Sequence, residues 1–172
     1  MSEPELSRII RAHPHPHSTL TLTADESERR ALADRFGIVA IGSLSAELAL
    51  ASDADAITAK GRLTADVMQN CAVSGEDFPT RIDETLDLRF VPAGALETNG
   101  EEVEFDSSQA DEIEFAGDSF DLGEAVAQSL GLAIDPYAEG PGADEARRAA
   151  GLVDEDTPQG PLAEALARLT KN

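Results

Sequence analysis

The chain's one cysteine, Cys71, stands in VMQNCAVSGEDF, residues 67–78. Three roles compete for it: a nucleophile, a metal ligand, or a small packed thiol at the end of a strand. A nucleophilic thiolate needs a base, usually His, a group that orients the base, and a positive surround. All three histidines lie in one pentapeptide, HPHPH at residues 13–17. The chain carries 13 Lys plus Arg against 34 Asp plus Glu, a net charge of −21. Neither base nor surround is at hand, so the residues favour a packed thiol and no catalytic residue. A single cysteine makes neither an internal disulfide nor a Cys-based zinc site.

In HPHPH, alternate histidines on an extended chain face the same way. His13 and His17 would then be about 13 Å apart at ~3.3 Å per residue. Only neighbours in the series could chelate together, which gives two ligands where zinc takes four. An exposed extended edge, with Pro14 and Pro16 suppressing ladder bonds, is the expected form. A third group is the carboxylates of residues 101–121. They lack the spacing and central Gly of an EF-hand, and they read as a solvated or partner-binding acidic face. Dinucleotide, P-loop and nucleophile-elbow motifs are absent from the sequence. No metal and no cofactor is expected.

The elements that would position these residues follow from periodicity. Thr23-Ala24-Asp25-Glu26 fits a capping box for a helix through Glu28, Leu32 and Phe36, with Gly37 as C-cap. The period then changes to two. Leu44, Ala46, Leu48 and Leu50 form one apolar row; Leu63, Ala65 and Val67 form a second. Ile82, Leu86, Leu88 and Phe90 form a third, with Arg81, Asp83, Asp87 and Arg89 on the other side. Turn residues at 53–56 and 74–79 join consecutive strands, which implies antiparallel pairing. Asp121 reads as an N-cap, with Glu124 completing an Asp version of the box. Its helix carries Leu122, Ala125, Val126 and Leu130, and Pro136 stops it.

The expected fold class is therefore α+β: a mainly antiparallel sheet, open or barrel-like, with two or three packed helices. Residues 1–135 read as a single domain. Between Phe90 and Ala146 there are fifteen Asp or Glu and no Lys or Arg. Within that span, the stretch between Glu97 and Asp118 has room for short strands at 103–105 and 113–115, and residues 92–112 read equally as a mobile acidic loop. Residues 136–160 read as a Pro/Gly/Asp-rich linker, with room for a short helix at 144–150. Residues 161–172 read as a short C-terminal helix.

A surface this acidic repels phosphate backbones and anionic membranes and suits basic proteins. No apolar run approaches the ~20 residues of a membrane span, and MSEPELSRII is not a signal peptide. A cytoplasmic protein is expected.

Four stretches, in order, resemble the YceD-like family, the large ribosomal RNA subunit accumulation proteins, in the form seen in alphaproteobacteria. They are ELSRII with ERRALADRFG (28–37), GRLTADVMQNCAVSGEDF (61–78), DSFDLGEAVAQSLGLAIDPYAEGPGA (118–143) and PLAEALARL (161–169). The most specific part is Gln69-x-Cys71 followed by Asp121-Leu122-Gly123-Glu124 and Asp135-Pro136-Tyr137. The resemblance implies a bacterial, non-enzymatic factor supporting 23S ribosomal RNA accumulation and large ribosomal subunit biogenesis. It brings no catalytic residues with it. Joined to the charge, it suggests a basic ribosomal protein or large-subunit assembly factor as partner. Gln69, Cys71, Asp121, Leu122, Gly123, Glu124, Asp135, Pro136 and Tyr137 would then be the partner-binding residues. Direct RNA binding would have to use Arg29, Arg30, Arg35, Lys60 and Arg62. The competing readings are a cysteine- or metal-dependent hydrolase and an acidic adaptor unrelated to ribosomes.

Overall fold

The computed structural model describes residues 4–14, 16–53, 56–94 and 111–151. Three long strands dominate it: β3 (Ala40–Asp53), β4 (Ala56–Asn70) and β5 (Asp77–Pro92). They pair antiparallel in sequence order. The register aligns the three apolar rows, with Ala46 opposite Leu63 and Ala65 opposite Ile82. One face of the sheet is therefore core and the other solvated, as the alternation requires. β2 (Ser18–Thr23) adds antiparallel to β3. β6 (Asp111–Phe115) adds parallel to β5, along Leu88 to Pro92 only.

The order β2-β3-β4-β5-β6 is linear, so the sheet is open and the barrel-like alternative is corrected. Its terminal strands hold six and five residues. They cover only part of their long neighbours, and β2 and β6 do not pair with each other. A second, two-stranded sheet joins β1 (Ile9–Arg11) to β7 (Ser119–Asp121).

Helix α1 (Glu26–Phe36) adds Leu32 and Ala33 to the core and ends at Gly37, whose φ of 65° suits a residue without Cβ. Its N-cap is Asp25, not Thr23, and the box closes on Glu28. Thr23 is already committed to β2, opposite Ser45, so the cap falls to the next polar residue able to leave the strand. Helix α2 (Leu122–Ala133) buries Leu122, Ala125, Val126 and Leu130 at helical spacing. Phe120 stacks on Phe90 with ring centroids 4.1 Å apart, tying β7 to the main sheet.

Helix α3 (Ala143–Ala149) is the short helix expected near 144–150. The strand expected at 113–115 is β6. The strand expected at 103–105 and the C-terminal helix at 161–172 lie outside the described residues. The described residues of HPHPH are not an extended edge: β1 ends at Arg11, the chain bends at His13 and Pro14, and Pro16 and His17 lie outside β2, which begins at Ser18.

Candidate partner-binding site

The nine residues singled out by sequence fall into two groups at opposite ends of α2. At its start, Asp121 caps the helix by accepting from the N–H groups of Gly123 and Glu124. The same carboxylate accepts from Ser7 Oγ at 2.6 Å and from the Arg8 N–H at 2.8 Å. The Leu122 N–H donates to the Arg8 carbonyl at 3.0 Å, and the Leu122 side chain is buried. A Cβ on Gly123 would lie 2.7 Å from Arg8 N and 2.9 Å from Leu6 O, so only glycine lets the N-terminal segment cross here.

Glu124 does not complete the expected box. It takes a two-toothed hydrogen bond from Arg35, at 2.8 and 3.0 Å, and Arg35 also reaches Glu5 at 2.9 Å. Arg35 holds the Glu124 carboxyl below its ordinary range, and Glu124 in turn raises the guanidinium. These four residues thus fasten the N-terminal segment and α1 to α2.

The second group surrounds the end of β4. Cys71 is 3 % exposed and opens the turn into β5. Its Sγ accepts from the Ser74 N–H at 3.3 Å, and its own N–H donates to the Glu76 carbonyl at 2.8 Å. Hydrogen bonding from Ser74, then from the Gly140 N–H, lowers the thiol to about 7, against the opposing pull of burial. Every group that lowers it is a hydrogen-bond donor, and no histidine or cation takes part. The Ala72 N–H donates to the Ala138 carbonyl at 3.0 Å, and Gly140 lies against the Phe78 ring. The segment after α2 therefore folds over the β4–β5 turn. In that segment Asp135 accepts from the Tyr137 N–H at 2.8 Å, and Tyr137 is 80 % exposed.

Between the end of α2 and β5 lie two adjoining cavities of about 250 and 380 Å³, both lined by Glu84 and Ala133. Gln69 and Asp135 line the larger; Leu132, 85 % exposed, and Asp111 line the smaller. Gln69 is only 5 % exposed, and its carboxamide has no hydrogen-bond partner among the described residues. The hydroxyl of Thr80, also in the larger cavity, is buried and likewise unpartnered.

Glu84 escaped the sequence reading although the signal was there. It lies opposite Leu63 and between Ile82 and Leu86, in the core-facing row, where an apolar residue was due. The row is uncovered at that point, and the carboxylate faces the groove.

Of the five cations that direct RNA binding would need, four are engaged within the chain. Arg29 donates to the Ala24 carbonyl at 2.7 Å, and Arg35 is held by Glu124 and Glu5. Lys60 and Arg62 stand on the solvated face of the sheet, paired with Asp87 and Asp83. Among the described residues no group of His, Cys, Asp and Glu side chains converges as a metal site. No helix among them is long and apolar enough to cross a membrane.

The model of one protein family, described as large ribosomal RNA subunit accumulation protein YceD, matches residues 59–164. That span takes in most of β4, all of β5, α2 and α3, and both ends of the groove. Neither a curated protein nor a solved structure matches the chain.

Proposed function

The chain belongs to the YceD family of large ribosomal RNA subunit accumulation proteins, and from that premise we propose that it works without catalysis, by binding a basic ribosomal protein or large-subunit assembly factor. The family name ties it to accumulation of large-subunit ribosomal RNA. The observation that carries the protein-binding reading is the state of its cations. Arg8, Arg35, Lys60, Arg62, Arg81, Arg89 and Arg147 are each paired with a carboxylate. RNA affinity rests on cations that can displace counterions from phosphates. A molecule of net charge −21 with seven of its 13 cations so engaged is suited instead to a basic protein.

The test is depletion followed by measurement of the 23S to 16S ribosomal RNA ratio, together with capture of large-subunit proteins at low salt. The ratio falls and is restored equally by the wild-type gene and by Cys71→Ser. Basic large-subunit proteins are retained on the immobilised chain. An unchanged ratio, or rescue that fails with a folded Cys71→Ser protein, overturns the proposal.

A further inference from the structure

The groove beside β5 has features that the fold itself does not require. β5 is hydrogen-bonded to β4 along its whole length, but β6 joins its other side only from Leu88 onward. Among the described residues, no strand pairs with the other side of residues 77–87. Half of the backbone N–H and C=O groups of that stretch point to the open side, the usual template for an added strand.

We propose that this open edge, facing the C-terminal end of α2, is where an extended, basic segment of a partner protein docks by adding to the sheet beside residues 80–87. This rests on the protein-binding reading above and gives it a place and a mode. The run of about eight residues offers roughly 26 Å of edge at ~3.3 Å per residue. It lies alongside both cavities.

Three observations fix the chemistry of the occupant. The first is charge. Carboxylates on the solvated face are neutralised: Asp66 by Arg81, Asp83 by Arg62, Asp87 by Lys60. The groove carboxylates Glu84, Asp111 and Asp135 have no cation partner among the described residues. Lys or Arg at alternate positions of an added strand would face the same side and meet them.

The second is the polar floor. The Thr80 hydroxyl is buried without a partner in the larger cavity, and the Gln69 side chain lines the same cavity. Such groups are costly to bury unless something bonds to them, and an incoming peptide or its side chains can do so. The third is the apolar rim. Leu132 projects into solvent at the smaller cavity, where the aliphatic stem of a Lys or Arg can lie. A second copy of this chain is a poor occupant, because two molecules of charge −21 repel. A nucleic acid meets the same carboxylates with the wrong sign.

The test uses the full chain and a labelled ten-residue peptide alternating Lys with Thr, followed by fluorescence anisotropy at low salt. The peptide binds, and N-methylation of alternate residues, which removes strand hydrogen bonds and leaves the charge, abolishes binding. Glu84→Lys weakens binding about tenfold or more. Asp66→Lys, the same charge change on the solvated face, alters it less than about threefold. Gln69→Leu weakens binding without unfolding the protein, as checked by circular dichroism.

Equal effects of Glu84→Lys and Asp66→Lys, undiminished binding of the N-methylated peptide, or a poly-uridine oligonucleotide that binds as well as the peptide would each overturn the proposal. Retention of large-subunit proteins that survives Glu84→Lys sinks the groove and spares the function. Peptide binding in a chain whose depletion leaves ribosomal RNA unchanged does the reverse.

Discussion

At the residue scale, single side chains here are fixed by backbone that cannot give way. Gly61 lies opposite Leu48, and a Cβ built on it would stand 1.9 Å from the Glu47 carbonyl oxygen. That atom belongs to the neighbouring strand, so Gly61→Ala must push β3 and β4 apart. The cost should reach or exceed the ~1–3 kcal/mol of an overpacked core. Gly37→Ala is the comparison: its Cβ meets nothing, and only the left-handed φ of 65° is strained, at about 1 kcal/mol. Denaturant unfolding midpoints would separate the two, and a Gly61→Ala loss no larger than that of Gly37→Ala would refute the steric account. Sequence alone did not disclose Gly61, because a glycine inside a strand pattern does not say which backbone approaches it. Cys71 was legible as a packed thiol at a strand end. Its lowered thiol was not, because the donors at Ser74 and Gly140 are set by a turn and by a segment nearly seventy residues away.

At the element scale, the period-two rows of β3, β4 and β5 and the start of α2 could be read directly, because burial of one face imposes them. What could not be read is what α2 is tied to. In the sequence, Asp121-Leu122-Gly123-Glu124 reads as partner-binding. In the fold its groups are engaged by Leu6, Ser7, Arg8 and Arg35, partners remote in sequence and invisible to a local pattern. Glu124 makes this testable by pH. Its pKa is lowered from an ordinary 4.5 by Arg35, so its ionised form is favoured in the folded state. The resulting stability is fully present above the ordinary value and is lost as pH falls through the depressed folded value. Glu124→Gln should therefore cost about 1 kcal/mol at neutral pH, allowing for partial exposure of the pair. The difference from wild type should vanish in acid. A deficit that persists unchanged to pH 2 would mean that Glu124 acts through packing and not through its charge.

At the scale of the whole molecule, the net charge of −21 acts on the fold and on the partner in opposite directions. Like charges spread over one surface repel one another, so the compact state is destabilised by its own field. The same field draws a basic partner toward the groove, where Glu84, Asp111 and Asp135 have no cation partner among the described residues. Salt screens both effects, with a Debye length of ~30 Å at 0.01 M and ~3 Å at 1 M. Raising salt over that range should therefore lift the thermal midpoint of the isolated chain. It should also slow association with a basic large-subunit protein by about tenfold or more, while dissociation changes little. Scanning calorimetry reads the first and stopped-flow mixing the second. The opposed signs are the discriminating feature. A partner held mainly by apolar contacts would associate no more slowly in salt, and a chain whose stability rested on its surface ion pairs would melt earlier, not later.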